Sequence, residues 1–140
     1  MNDLTVSNDD MELELNHASV KRHWAAFVAG NLAREHEIYH DDAELEYPQS
    51  GEVIAGRANI EASRSAQPDR GRIEAPRILG QGDLWVTDFI LMKDGQQTNV
   101  VSIMEFRDGK VFHETQYFAE PFKAPAWRAK WAAPGGRNKK

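Results

Sequence analysis

Hydrophobic positions along the 140 residues change period partway through the chain, from helical spacing to strict alternation. Leu13, Val20, Trp24, Phe27 and Val28 recur at helical spacing and predict one amphipathic helix ending near Gly30. Ser7 with Asp10 three residues later gives its start the character of a capping box, the shorter Asp replacing the usual Glu. Leu32, Ile38 and Tyr39 form the buried side of a shorter second helix, closed by Asp41 and Asp42. Residues 43–47 then alternate as a strand, stopped by Pro48 and the Ser50-Gly51 turn. Gly56 precedes a third helix over residues 57–66. Beyond the Pro68-Asp69-Arg70-Gly71 loop, four strands are predicted at 72–79, 84–92, 97–106 and 110–118. Pro76 cannot donate to a ladder and fits only an edge strand or a bulge. Helices followed by consecutive hairpins predict an α+β fold, an antiparallel sheet wrapped around the helices.

The last two strands form a hairpin whose most apolar face carries polar groups in its middle. Val100, Met104, Phe106, Phe112 and Phe118 enclose Ser102, Glu114 and Gln116, the pattern of a pocket wall. A three-residue loop, Arg107-Asp108-Gly109, pairs Phe106 with Lys110 and sets Ser102 opposite Glu114 and Val100 opposite Gln116. A two-residue Asp108-Gly109 turn competes with it and would pair even positions with odd ones. The first register is preferred because it gathers the large apolar residues on one face. The opposite face, with Trp85, Thr87, Phe89, Leu91, Val101, Ile103 and Tyr117, is apolar enough to argue for a homodimer through it.

Composition narrows the function. The chain is 41% hydrophobic, enough at this length for one core and one domain over residues 11–132, with flexible ends at 1–10 and 133–140. A formal net charge of −5 with scattered Arg and Lys argues against a nucleic-acid partner. With no cysteine there is no disulfide framework, thiol nucleophile or thiolate metal site. No signal peptide or membrane span is evident, so the expected location is cytoplasmic, with no membrane partner. No metal, nucleotide or flavin motif appears, and no cofactor is expected. His36 and His40 have the i, i+4 spacing of a metal pair on one helix face but lack a third ligand, and a solvated face is the plainer reading. His17 shares the long helix's apolar stripe and could reach a pocket; His23 lies nearby. Phe122, Trp127 and Trp131 need a surface to cover, and packing of at least one on its own domain is expected.

The string Tyr47-Pro-Gln-Ser-Gly-Glu-Val-Ile-Ala-Gly-Arg-Ala-Asn-Ile60 resembles the segment joining the first strand to the third helix in SnoaL-like proteins. The ending Glu114-Thr-Gln-Tyr-Phe-Ala-Glu-Pro-Phe-Lys-Ala-Pro-Ala-Trp-Arg-Ala-Lys-Trp131 resembles the last strand and tail of a subgroup of the same superfamily. The resemblance implies the nuclear transport factor 2-like fold, a conical half-barrel whose curved sheet and helices enclose one pocket, usually in a dimer. It identifies fold better than activity, since the superfamily holds isomerases, cyclases, hydrolases, dehydratases and domains without catalysis.

Asp88 is the leading chemical candidate, because an ionised carboxylate in the apolar strand 84–92 needs a partner or a raised pKa. A loop Asp94-Gly95-Gln96 sets Asp88 opposite Ser102, giving a row Asp88, Ser102, Glu114 across the sheet. The alternative leaves Asp88 at the rim, solvated or bonded to an arginine or the backbone. By resemblance, Asp88 falls where related epoxide hydrolases carry a catalytic acid. Those enzymes have an arginine where this chain has Val86 and a second acid where it has Gln116, so their mechanism does not transfer. The fold position also implies that Glu44 and Glu46 point into the pocket, against a solvated outer face with Leu45 and Tyr47 inward. The expected lining is Trp24, Glu44, Glu46, Tyr47, Val86, Ser102, Met104, Gln116 and Phe118. The resulting expectation is cofactor-free proton transfer on a small organic molecule, of isomerase, cyclase or lyase type. In it Asp88 is the base, Glu114 the second acid or orienting group, and Gln116 and Tyr47 the donors. A ligand-binding or dimerisation module without turnover is the rival.

Overall fold

The computed structural model describes the backbone of residues 8–135 and the side chains of residues 15–135. The expected cap at Ser7 lies outside the described residues, as do large parts of the two terminal stretches expected to be flexible. Helix α1 runs Asn8–Ala29 and stops where Gly30 turns to φ +74°, a conformation that costs glycine nothing. Asn31 caps the short α2, Leu32–Glu35, by accepting from the Arg34 N–H at 3.0 Å. The second helix is thus a single turn; a 3-10 turn, His36–Ile38, follows, and Tyr39 already belongs to strand β1, Tyr39–Tyr47.

Strand β2, Glu52–Ala55, is too short for its pattern to announce and pairs antiparallel with β1. Helix α3 spans Arg57–Ser65, and β3 Arg72–Gln81, β4 Leu84–Lys93, β5 Gln96–Arg107 and β6 Lys110–Ala119 complete one curved, open sheet in the order β2-β1-β6-β5-β4-β3. All neighbours are antiparallel except β1 and β6, which run parallel. Pro76 sits on the edge strand β3 at an irregularity between Glu74 and Arg77, as its missing N–H requires. Val20, Trp24, Ile38, Tyr39, Leu45, Ile60, Phe89, Val100, Met104 and Val111 pack as one core between the helices and the concave face of the sheet.

Register departs from expectation at both hairpins, in different ways. Asp94 and Gly95 alone make the β4–β5 turn, both with positive φ (+53° and +74°), so Lys93 pairs with Gln96 and Thr87, not Asp88, faces Ser102. One residue fewer in the loop turns every β4 side chain over. Trp85, Thr87 and Phe89 are therefore buried inside with Leu91 packed against them, while Val86 and Asp88 lie on the outer face. The apolar outer face expected to carry a dimer is not assembled, since its β4 half points inward. At β5–β6 the turn is again two residues, Asp108-Gly109, but a bulge at Phe112 restores the parity. Ser102 faces Gln116, Met104 faces Glu114 and Val100 faces Phe118, all still on the concave side. Phe112 is expelled from that face and lies half-buried under the Arg107 guanidinium, 5.1 Å from its ring centre. Phe122, Trp127 and Trp131 each stay about three-quarters exposed, at 78%, 74% and 77%, so none packs on its own domain as expected.

Candidate functional site

Helix α3 supplies the key cation. Ile60 and Arg64, one turn apart, both face the sheet, and Arg64 is driven into the core beside Ile60. A buried guanidinium requires acceptors, and it finds them on three elements. Its Nη1 donates to the Tyr39 hydroxyl at 2.8 Å and to His36 Nε2 at 3.2 Å, and its Nη2 reaches Glu114 Oε1 at 3.4 Å. Its charge also lies close enough to Tyr47 to act on that phenol, although burial prevails and raises the Tyr47 hydroxyl above its ordinary value. His36 can accept because its Nδ1–H is committed to the Leu32 carbonyl at 2.7 Å.

Glu114 is the counter-charge, with no solvent exposure at all. Oε1 accepts from Tyr39 and Arg64, and Oε2 accepts from Ser102 at 2.6 Å and from the Gln116 amide at 2.9 Å. Burial by itself would raise this carboxyl, yet Arg64 and the hydrogen bonds from Ser102 and Tyr39 hold it below the ordinary glutamate value. Burial pushes the Tyr39 hydroxyl well up, so the proton stays on the phenol. A carboxylate with four donors upon it is an anchor for its neighbours and a poor proton carrier. Gln116 spends one N–H on Glu114 and keeps its second N–H and its carbonyl oxygen as groups that can meet a ligand.

A second charged pair closes the other side. Glu35, 1% exposed, takes a two-pronged bond from Arg70 at 2.7 and 2.8 Å, and Arg70 lies over the Phe27 ring at 4.5 Å. Between the two pairs opens a cleft of about 60 Å3, walled by Trp24, Phe27, Phe89, Leu91, Val100 and Phe118 and edged by His23, Tyr47, Arg64, Gln67, Arg70 and Gln116. That volume suits a few waters or a compact organic molecule, well below the roughly 300–1,000 Å3 of pockets for drug-sized ligands.

Of the residues the sequence singles out, Trp24, Tyr47, Gln116 and Phe118 line this cleft. Glu114 and Ser102 lie beneath it as support, and Met104 is core. Asp88 is elsewhere, on the convex side of the sheet, bound to Arg77 at 2.7 Å. Thr87 takes its place inside and receives the Trp24 indole N–H at 3.1 Å. Val86 shares the outer face, as do Glu44, exposed, and Glu46, 3.2 Å from His113; Leu45 occupies the inner position the resemblance gave them. His36 and His40 do not share a helix face, since one ends α2 and the other lies in β1 bonded to the Arg107 carbonyl. His17 stacks on Trp85 at 4.7 Å, away from the cleft lining. Sequence reasoning missed Arg64, Glu35, Arg70 and His23 as site residues. The Ile60/Arg64 and Val20/His23 spacings carried a signal for two of them, while Arg70 arrives from a loop that carries none.

Three helices laid across the concave side of a curved, open sheet, with a cleft between them, define the nuclear transport factor 2-like class of α+β cones. Within it the chain belongs to the SnoaL-like domain family, whose model matches residues 20–114. A crystal structure of an NTF-2-like protein of unknown function from Burkholderia xenovorans LB400 is 49% identical, with TM-score 0.81, the match covering 88% of this chain and 97% of that one. A protein from Kribbella flavida DSM 17836, proposed to be a ketosteroid isomerase, is 20% identical with TM-score 0.83, over 91% and 94% of the two chains. TerC, co-crystallised with polyporic acid, is 23% identical with TM-score 0.62, over 74% and 91%. The last two likenesses establish the shared fold. No curated protein matches the chain in sequence.

Proposed function

We propose that the cleft binds a compact, neutral carbonyl compound and moves a proton within it without a cofactor. The observation that carries this reading is the position of Tyr47 on the cleft wall beside the buried Arg64–Glu114 pair. Arg64, pinned by Glu114 and Tyr39, places a fixed positive charge near Tyr47, whose buried phenol keeps its proton and offers a neutral O–H at the cleft wall. A preorganised donor of that kind stabilises a carbonyl oxygen more as it becomes an enolate, and so acts on the transition state. Both cations at the cleft are already matched by a carboxylate, Arg64 by Glu114 and Arg70 by Glu35, so the site carries no spare charge for an ionic ligand. Aromatic walls supply the apolar remainder of the affinity.

The rival reading, a binding module without turnover, draws support from the saturation of Glu114, which removes the one buried carboxylate of β6 from acid–base work. The two readings differ in exchange of carbon-bound hydrogen. Incubation with hydroxyacetone in D2O, followed by proton NMR, should show protein-dependent deuteration beside the carbonyl. Tyr47→Phe should slow it by about 10²-fold, the ordinary worth of one oxyanion donor, and Asp88→Asn should leave it unchanged. Saturable binding with no deuteration would favour the binding module.

A further inference from the structure

We propose that His23 is the proton acceptor of this cleft, its Nε2 being the atom that receives a proton from a compact α-hydroxy ketone or related enolisable neutral ligand. This rests on the cleft reading above and supplies the base that reading lacks once Asp88 is on the other face. The imidazole projects from α1 into the cleft wall at 2% exposure, edge-on to Trp24 at 4.6 Å and to Tyr39 at 5.8 Å. Its Nδ1 lies 2.6 Å from the Glu35 carbonyl oxygen, which can only accept. The proton is therefore on Nδ1, and Nε2 presents a lone pair. That lone pair has no hydrogen-bond partner among the described residues, although the atom is sealed from water. A buried acceptor left open in this way is costly unless something else fills it, and a ligand's hydroxyl or acidic C–H is what fits.

The surroundings favour the neutral imidazole. Burial, and to a lesser degree Arg64 on α3, lowers its pKa to about 4, while Glu114 on β6 and Glu35 on α2 act in the opposite sense. Tyr39 on β1 keeps its proton and adds no charge. In the step itself, the C–H bond next to the ketone breaks and its proton passes to Nε2. The electron pair forms the C=C bond of the enolate, and the former C=O pair moves to oxygen, which takes the Tyr47 hydrogen bond. Returning the proton to the same carbon after exchange with solvent gives deuteration; returning it to the former carbonyl carbon, as the neighbouring hydroxyl proton passes to the enolate oxygen and its own oxygen becomes the new carbonyl, gives isomerisation. No redox partner is needed.

The test pairs a variant with a direct view of the nitrogen. His23→Asn keeps a side-chain N–H near the Nδ1 position for the Glu35 carbonyl and deletes Nε2. It should lose hydroxyacetone deuteration by at least about 10²-fold, the usual worth of a general base, while still binding hydroxyacetone. In the wild-type protein, the 15N resonance of His23 Nε2 should move upfield as hydroxyacetone saturates the cleft. An Nε2 resonance that stays put at saturation overturns the proposal, whether or not His23→Asn folds. Deuteration that survives in His23→Asn but is lost in Tyr47→Phe also overturns it and leaves the cleft reading standing. If the wild-type protein neither binds nor deuterates hydroxyacetone, both fall for this class of ligand.

Discussion

Two arginine–carboxylate pairs stand on opposite faces of the same sheet, and comparing them shows what burial does to one chemistry. On the outside, Arg77 and Asp88 approach to 2.7 Å with side chains 60% and 19% exposed. On the inside, Arg64 and Glu114 are 3.4 Å apart, with 7% and 0% exposed. The shorter pair is the weaker one. Water screens Arg77, and exposed pairs of this kind contribute little to stability. Glu114 and Arg64 have no water to fall back on, and Glu114 stays ionised in the core only because Arg64 and a set of hydrogen bonds are in place. The inner pair is therefore part of the architecture of the cleft, and the outer one decorates the sheet.

Removing Arg64 should produce the largest effect. Arg64→Met leaves the Glu114 carboxylate buried without its counter-ion and strips a donor from Tyr39 and from His36. A loss of about 3–5 kcal/mol is expected for breaking a buried pair from one side, read as a lowered midpoint in urea unfolding at unchanged slope. A loss below about 1 kcal/mol would place the inner pair in the same class as the outer one and dissolve the contrast.

Acid should attack the inside next. His23 has a folded pKa of about 4 against 6.5 for a free histidine, chiefly because burial disfavours its cation. The folded state thus binds fewer protons than the unfolded one between those values. The stabilising contribution is present in full above pH 6.5 and is lost as the pH falls toward about 4. At 1.36 kcal/mol per unit the loss is about 3 kcal/mol. Glu35 and Glu114, both held below the ordinary carboxyl value, add their losses at still lower pH. Urea titrations between pH 7 and 4 should show this slope in the wild type and a flatter one in His23→Asn; parallel curves would place the proton uptake elsewhere.

The turn that separates inside from outside is open to a smaller test. Gly95 holds φ +74° with nothing within 4 Å of where a Cβ would stand. Gly95→Ala therefore meets no clash and should cost only the left-handed backbone term, about 1–2 kcal/mol. The same turn marks the limit of what the chain's pattern discloses. The order of the elements other than β2, the edge position of Pro76 and the inward set Val100, Ser102, Met104, Glu114 and Gln116 are legible in the sequence, the last because alternation survives any even shift of register. Strand β4 has no such protection. Trp85, Val86, Thr87, Asp88, Phe89, Ile90 and Leu91 offer large apolar side chains to both faces, so loop length alone decides which side is buried. Two-residue and three-residue loops both suit Asp94-Gly95-Gln96, and the choice between them carried Asp88 from the cleft to the outer face. Arg70 was illegible for another reason: it comes from a loop, and its bond to Glu35 is a product of tertiary assembly.

The smallest effect belongs to the outer pair, and its smallness is informative. Arg77→Met should leave the urea midpoint close to that of the wild type, and Asp88→Asn, which keeps an acceptor for Arg77 while removing the charge, should leave it closer still. Neither residue lines the cleft, so neither change should alter hydroxyacetone binding or deuteration. A double-mutant cycle on Arg77 and Asp88 set beside one on Arg64 and Glu114 gives the two coupling energies directly. A ratio well above one is expected. Equal couplings would mean that the outer pair is shielded from water by something the isolated chain does not contain, most simply another protein surface laid over β3 and β4.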